Sequence, residues 1–307
     1  MARRRPKGIL QIGWACVECA ASGRSEHAPT DKDYPDSIVR RTSFTAGGGH
    51  GWRISALETP RSEVADWKVV VVTGAPSWAE YWAETLAAVA PSREMLVIDR
   101  PGYGLSEPAI PVTDIAIQAE ALAPALQAQP GQKVMLVGQS YGAAIAALMA
   151  EANPGRVDSL VLLSGYFGEA GPTARWLLDM GGRALKLIPR DLRCAVLEVS
   201  GQNRQLDRAK LALRRLDIPV SMIHGDKDDF APLEAAERLA RDAGQRRPIR
   251  VIRAAGANHF LNDGPPEALL AALEACIPTP SRWTFRLPKM PKLRWPSMPE
   301  QRGLAQA

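Results

Sequence analysis

Ser140 lies between two glycines in the segment Gly-Gln-Ser-Tyr-Gly (138–142), directly after an apolar run and directly before an alanine-rich one. The five-residue pattern by itself is weak evidence, because serine and glycine are both common. Its position between a buried strand and a helix is more specific, since a sharp turn there exposes the hydroxyl at the positive end of the helix. Flanking glycines suit such a turn, where the backbone is bent and closely packed. Ser140 is therefore a candidate nucleophile.

A serine hydroxyl attacks a carbonyl only when a base removes its proton, so a histidine and an orienting carboxylate are needed as well. Of the four histidines, His259 alone follows the serine and lies in a loop after a strand. His224 lies within the strand VSMIHG and is given no role. The loop after that strand offers three carboxylates, Asp226, Asp228 and Asp229. The order Ser, Asp, His along the chain suits a nucleophile placed between a strand and a helix.

The elements that must position these residues alternate along the chain. After two strands joined by a glycine turn, continuous β-branched runs such as KVVVV (68–72) alternate with stretches of helical spacing. Uninterrupted apolar runs are typical of strands buried on both faces of a parallel sheet. The pattern predicts an α/β fold with a mostly parallel, open, twisted sheet and helices on both faces, and Thr113 is expected to cap one of the helices.

The alternation breaks between Gly165 and Leu216, where helical periodicity continues with no strand. We interpret residues 165–216 as a small helical cap inserted into a core of residues 41–164 and 217–278. Residues 1–40 form a basic N-terminal segment, and residues 279–307 form a basic tail with several prolines and two tryptophans. Both terminal segments are predicted to be flexible.

The net charge of +5 comes from the ends of the chain, because ten of the 38 basic residues lie in residues 1–7 and 279–307. The rest is slightly acidic, so a nucleic-acid groove is not indicated. No apolar run approaches the roughly 18 residues of a membrane span. Cys16 and Cys19 have redox or zinc spacing without a second pair, and we interpret them as free thiols of a cytoplasmic protein. Export, or contact of the basic termini with an anionic membrane, remains an alternative.

Several segments in order resemble the α/β-hydrolase family over about residues 41–278. Besides the serine turn, these are TGAP (73–76), DRPGYGLSEP (99–108), HGDKDDFAP (224–232) and ANHF (257–260). The resemblance implies that Asp228 is the acid of a Ser140–Asp228–His259 triad, with Asp226 as second choice. It also implies an oxyanion hole made by the backbone N–H groups of Tyr141 and Ala75.

The chain departs from the family at Thr73-Gly74, where the family usually has His-Gly. Backbone donors do not depend on that side chain, so the oxyanion hole can persist with different local hydrogen bonds. The glycine-rich oxyanion loops of hormone-sensitive-lipase-like esterases and of carbon–carbon bond hydrolases are absent. Serine at the turn also argues against epoxide hydrolases and haloalkane dehalogenases, which have aspartate there.

The resemblance implies a serine hydrolase that cleaves a small carboxylic ester, without a cofactor or metal, as a monomer or homodimer. Two alternatives stay open: acyl transfer or perhydrolysis through the same triad, and a ligand-binding protein that has lost turnover. Aromatic residues near the predicted site are candidates for the acyl pocket. They are Trp78, Tyr166, Phe167 and Trp176.

Overall fold

The computed structural model describes residues 38–200 and 203–278, which form one eight-stranded sheet covered by helices. The strands are β1 Arg40–Thr45, β2 Arg53–Glu58, β3 Trp67–Val72, β4 Arg93–Ile98, β5 Lys133–Gln139, β6 Ser159–Leu163, β7 Val220–Gly225 and β8 Arg250–Ala254. Their order across the sheet is β1-β2-β4-β3-β5-β6-β7-β8. Strands β3 to β8 run parallel, whereas β2 is antiparallel to both β1 and β4. The predicted α/β fold with a mostly parallel open sheet is confirmed.

The central strands are buried on both faces, as their apolar runs predict. In β3, Val70 and Val72 pack into the core on one face of the sheet, and Val69 and Val71 pack into the core on the other. This alternation follows from the two-residue period of a strand. Helices must therefore cover both faces.

Two layers of helices do so. The helices are α1 Ala83–Ala87, α2 Ile115–Leu122, α3 Gly142–Ala152, α4 Pro172–Arg183, α5 Arg190–Val199, α6 Asn203–Arg215, α7 Leu233–Ala243 and α8 Pro266–Glu274. Helices α2, α3, α6 and α7 contribute to the core on one face, and α1 and α8 contribute to the other. The helix α3 brings the alanine-rich segment after Ser140 against the sheet, with most of its residues buried.

The helix α2 begins one residue later than the sequence predicts. The carboxylate of Asp114 accepts hydrogen bonds from the N–H groups of Ala116 and Ile117, at 2.8 and 3.3 Å. Asp114 is therefore the N-cap, and the prediction of Thr113 was wrong. Both residue types cap helices well, so composition does not separate neighbouring candidates.

The helices between β6 and β7 differ in how they pack. Leu206, Ala209 and Leu213 of α6 are buried in the same core as α3, so α6 belongs to the helix layer on the sheet. None of the side chains of α4 is fully buried. The division of the chain into a core and a cap of residues 165–216 stays a prediction, and only α4 and α5 are placed outside the two helix layers.

Residues 1–37 and 279–307 of the predicted flexible ends, together with Cys16 and Cys19, lie outside the described residues. Arg40, which was assigned to the N-terminal segment, is the first residue of β1. Cys194 and Cys276 are free thiols and buried. Among the residues that the structure describes, no helix has the length and apolar character required to cross a membrane.

Candidate active site

Ser140 lies at the turn between β5 and α3, and its backbone has a φ of +50°. This left-handed conformation is uncommon for a residue with a side chain and stores strain. The turn is held by its own hydrogen bonds, because the carbonyl of Ser140 accepts from the N–H groups of Ala143 and Tyr166, both at 3.0 Å. Its side chain is only partly buried. The strained turn thus presents the hydroxyl at the end of the sheet where the parallel strands finish.

The glycines on both sides of the serine are required by close packing. A Cβ atom on Gly138 would lie 2.5 Å from the Cα of Ala143. A Cβ on Gly142 would lie 2.4 Å from the carbonyl oxygens of Val72 and Thr73. These obstacles are backbone atoms, which cannot rotate away. The spacing of the motif is therefore explained by the approach of α3 to β3 and β5.

His259 lies between the serine and a carboxylate. Its Nε2 is 2.9 Å from the Oγ of Ser140, and its Nδ1 is 2.8 Å from the Oδ2 of Asp228. An ionised carboxylate only accepts hydrogen bonds, so Nδ1 carries the ring proton and donates to Asp228. The Nε2 of the neutral ring then accepts from the serine hydroxyl. A histidine held in this way is placed to deprotonate the serine.

Asp228 is buried, and every contact of its carboxylate is a donor. Its Oδ1 accepts from the N–H groups of Phe230 and Ala231, at 3.0 and 2.8 Å. Burial acts to raise the pKa of Asp228, but the hydrogen bonds from His224, His259 and Ala231 outweigh it. The pKa of Asp228 is consequently held well below its usual range. The carboxylate therefore stays ionised opposite His259.

The other two carboxylates of the loop face elsewhere. Asp226 is exposed and accepts from the N–H of Gly256 at 2.7 Å. Asp229 accepts from the hydroxyl of Thr173 at the start of α4. Of the three carboxylates, only Asp228 contacts His259. Asp228 is also the acid that the family resemblance implied.

A second histidine, His224, contacts the same carboxylate, although its position within a strand predicts no role for it. The Nε2 of His224 lies 2.6 Å from the carbonyl oxygen of Ala231 and 3.1 Å from the Oδ2 of Asp228. Both neighbours are acceptors, so Nε2 carries the proton. The Nδ1 of His224 is buried without a hydrogen-bond partner within residues 38–200 and 203–278. His224 lies at the end of β7, four residues before Asp228, and this short spacing was the one sequence feature that could have indicated the contact.

Aromatic and amide side chains fix the histidine loop. The ring of Phe230 stacks on His259 with centroids 5.1 Å apart, and Phe260 meets it edge-on at 5.3 Å. Next to the serine, the amide of Gln139 donates to Asn262 at 2.7 Å. These contacts join the turn after β5 to the loop after β8, so the distance between Ser140 and His259 does not depend on one hydrogen bond.

The two backbone groups predicted to form an oxyanion hole lie beside the serine. Gly74 is so close that a Cβ there would be 3.0 Å from the Cβ of Ser140. In the described part of the chain, neither the N–H of Ala75 nor that of Tyr141 donates to a protein acceptor. The hydroxyl of Thr73 donates to the carbonyl of Ile98 at 3.0 Å, so this loop has local hydrogen bonds that a histidine at position 73 would not reproduce.

The predicted pocket residues are only partly brought together. Tyr166 and Phe167 are buried directly after β6, and the N–H of Tyr166 donates to Ser140. Trp78 is buried between the loop after β3 and Cys194 of α5. Trp176 lies on α4 with 58% of its surface exposed. Its side chain is therefore not buried with the other three.

A groove of about 960 Å³ lies away from this site. It is lined by the turn after β1, by α2 and by the end of α3, and it includes none of the predicted site residues. Within the described residues, no group of three or more His, Cys, Asp or Glu side chains is arranged to hold a metal ion.

Comparison with known proteins agrees with the fold. A family model described as alpha/beta hydrolase fold matches residues 68–193, from β3 into α5. The chain therefore has the α/β-hydrolase fold, and residues 68–193 are similar to that family. A solved structure of a putative aryl esterase from Burkholderia cenocepacia superposes with a TM-score of 0.59 at 19% identity, covering 76% of this chain and 97% of that one.

Curated relatives match a shorter stretch. Over 116 residues the chain is 34% identical to 2-hydroxy-6-oxononadienedioate/2-hydroxy-6-oxononatrienedioate hydrolase 1 of Dechloromonas aromatica (strain RCB). The matched stretch covers 38% of this chain and 39% of the relative. A hydrolase named for the same two compounds, from Cupriavidus pinatubonensis (strain JMP 134 / LMG 1197), is 33% identical over 101 residues, and the match covers 33% of this chain and 34% of the relative. The match therefore spans about two fifths or less of these relatives.

Proposed function

We propose that the protein is a serine hydrolase that cleaves a carboxylic ester through an acyl-enzyme on Ser140. The observation that carries the proposal is the double contact of His259, at 2.9 Å to the serine hydroxyl and 2.8 Å to Asp228. A structural serine in a tight turn does not need a neutral imidazole on its hydroxyl, nor a carboxylate with a depressed pKa behind that imidazole.

In this proposal His259 acts first as a base and then as an acid. It takes the proton of Ser140 while Oγ attacks the ester carbonyl, and the carbonyl π electrons move onto the oxygen. The intermediate collapses and expels the alcohol, which receives the proton from His259. A water molecule, deprotonated by the same Nε2, then attacks the acyl-enzyme and releases the carboxylic acid and Ser140. Asp228 keeps the ring oriented and stabilises its positive charge.

The N–H groups of Ala75 and Tyr141 are proposed to stabilise the oxyanion of both tetrahedral intermediates. Support comes from their position beside Ser140 and from the lack of a protein acceptor for either group in residues 38–200 and 203–278. Each such donor typically contributes about 2.7–4 kcal/mol to the stability of the transition state.

The substrate is proposed to enter beneath α4 and α5, which act as the cap. Trp78, Tyr166 and Phe167 are proposed to contact its apolar part, and their burial near the serine or α5 supports this. Large aromatic walls favour an acyl or alcohol group of modest size and low polarity.

Hydrolysis of a carbon–carbon bond is a second candidate. It is favoured by the 34% identity over 116 residues to a hydrolase of 2-hydroxy-6-oxononadienedioate. Ser140, deprotonated by His259, would attack the carbon of the 6-oxo group, and the same N–H groups would stabilise the oxyanion. The bond from that carbon to C5 would then break, and the departing carbon would receive the proton from His259. Such a substrate is a dicarboxylate, whereas the residues proposed to line the pocket are aromatic.

The test uses purified full-length protein and its Ser140→Ala variant. Both are treated with a fluorophosphonate probe, and both are assayed on nitrophenyl esters with two to twelve carbons and on a 2-hydroxy-6-oxodienedioate. Labelling and ester turnover that disappear in the variant would support the esterase proposal, and the chain-length profile would give the pocket size.

Turnover of the dienedioate with no ester turnover would favour the second candidate. A folded wild type that neither labels nor turns over any substrate would refute both, and a ligand-binding role would remain.

A further inference from the structure

Arg100 and Glu198 form an ion pair with no exposed side-chain surface. The pair is bidentate: Nη1 of Arg100 donates to Oε1 of Glu198, and Nη2 donates to Oε2, both at 2.9 Å. Arg100 follows β4, and Glu198 lies near the end of α5, 98 residues further along the chain. This buried pair joins the loop after β4 to α5, the helix that is proposed to cover the site.

The other edge of the guanidinium contacts the loop beside Ser140. Nε of Arg100 donates to the carbonyl of Thr73, and Nη2 donates to the carbonyl of Gly74, both at 2.7 Å. The carbonyl of Gly74 and the N–H of Ala75 belong to one peptide unit, which is trans. In a planar trans peptide these two groups point in opposite directions. Arg100 therefore fixes the direction of the Ala75 N–H by holding the carbonyl on the opposite side.

The guanidinium also contacts the residue that carries the other proposed donor. Its central carbon lies 5.4 Å from the ring centroid of Tyr141 and 4.5 Å from that of Tyr103. A flat cation fits this place because it can donate in its plane and stack on rings above it. A lysine could not satisfy both carbonyls and both carboxylate oxygens at once.

Glu198 has no spare acceptor capacity for a different partner. Besides Arg100, its carboxylate accepts from the hydroxyl of Tyr103 at 2.6 Å and from the amide of Gln118 at 2.8 Å. Gln118 in turn accepts from Arg100 at 2.7 Å. If α5 moves, Glu198 must leave this network, and Arg100 loses its counter-ion.

From these contacts we propose that Arg100 is a positioning residue for the oxyanion hole and that Glu198 makes its position depend on α5. The proposal rests on the proposed esterase function. With α5 seated, Arg100 holds the Gly74–Ala75 peptide so that its N–H faces the reacting carbonyl. With α5 displaced, the peptide is free to rotate and one oxyanion donor is lost. Substrates that contact α5 and hold it in place would therefore be hydrolysed faster than substrates that contact Ser140 but not α5.

The main variant is Glu198→Gln, which keeps the size of the side chain and removes its charge. The matched control is Cys194→Ala, on the same helix and also fully buried, which removes the Sγ contact with the carbonyl of Gly102 and leaves every hydrogen bond of Arg100 and Glu198 in place. A second test variant, Arg100→Met with Glu198→Leu, removes both charges together and leaves no single charge buried. Melting temperatures identify variants that fold.

Three quantities are measured on an ester that the wild type hydrolyses: kcat, KM, and the inhibition constant of a trifluoromethyl ketone. The ketone forms a tetrahedral oxyanion on Ser140, so its affinity reports the oxyanion hole. The alcohol product, which forms no oxyanion, reports ground-state binding.

We expect Glu198→Gln and the double variant to lower kcat by about 10- to 1000-fold, up to the cost of losing one oxyanion donor. The affinity for the ketone should fall in proportion to kcat, while KM and the affinity for the alcohol stay within about three-fold of the wild-type values. Cys194→Ala should keep kcat and ketone affinity near the wild type. A folded double variant with wild-type kcat and ketone affinity would overturn the proposal, as would equal losses in Cys194→Ala and Glu198→Gln. A wild type without esterase activity would instead overturn the proposed function itself.

Discussion

The Nε2 of His224 lies 3.1 Å from the Oδ2 of Asp228. That oxygen is also the one that His259 approaches, so a single carboxylate oxygen receives two imidazoles, one of them facing the serine. The second imidazole is also tied to the carbonyl of Ala231. The loop that carries the acid is therefore held at both of its ends, and the orientation of Asp228 is fixed before any substrate arrives.

Replacing His224 with alanine is expected to destabilise the protein by about 1–3 kcal/mol, because the buried carbonyl of Ala231 and the carboxylate of Asp228 each lose a donor. The kcat/KM for an ester should fall as well, since Asp228 loses part of its orientation. His224→Gln is the matched variant, because its amide supplies a donor in the same place and should recover much of both losses. Urea unfolding and ester kinetics measure them. Equal behaviour of the two variants would contradict a positioning role for the Nε2 proton.

The depressed pKa of Asp228 makes stability depend on pH. Burial raises this pKa, but the hydrogen bonds from His224 and His259 lower it by a larger amount. The pKa of Asp228 in the folded state therefore lies well below the unfolded value of about 3.9. As the pH falls, the unfolded chain binds a proton here before the folded chain does, and the folded state loses stability. Between pH 5 and 3, the wild type should lose unfolding free energy faster than Asp228→Asn, by up to about 1.4 kcal/mol per pH unit. Parallel curves from urea unfolding at each pH would refute this.

Asp228→Asn is also expected to lower kcat for an ester by about 10⁴-fold, because an amide can favour the wrong tautomer of His259. Asp226→Asn is the control: Asp226 is a neighbouring carboxylate that contacts Gly256 and not His259, and its replacement should leave kcat near the wild-type value. Steady-state kinetics on one nitrophenyl ester compares them. A large loss in Asp226→Asn with activity retained in Asp228→Asn would reassign the acid.

Gly142→Ala is expected to destabilise the protein by about 1–3 kcal/mol or more, because the new Cβ would lie 2.4 Å from two backbone carbonyl oxygens. Gly182→Ala is the control. A Cβ at this position of α4 meets nothing within 4 Å, and the change should stabilise the helix by about 0.5–1 kcal/mol. Thermal unfolding measures both. If Gly142→Ala is as stable as the wild type, close packing does not explain the second glycine of the motif.

Local sequence patterns were enough to predict the sheet, the turn at Ser140 and the choice of His259 as the candidate base. Each depends on a few consecutive residues: a β-branched run that must be buried, glycines where the backbone is crowded, and a histidine directly after a strand. Among the three carboxylates of the loop after β7, residue type and spacing did not discriminate, and the family resemblance implied Asp228. In the structure the choice follows from orientation, because Asp226 turns toward Gly256 and Asp228 turns inward.

What the sequence determined by itself is therefore the order of the elements and the residues at their ends, since these follow from periodicity and backbone conformation. Tertiary structure alone decided the partners of the buried polar groups. Glu198 is one charge in an amphipathic segment, and nothing nearby in the chain predicts that it meets Arg100, 98 residues away. The contact of His224 with Asp228 and the packing of α6 on the sheet were missed for the same reason. Such pairings depend on which surfaces remain to be buried once the layers assemble, and that is a property of the whole fold.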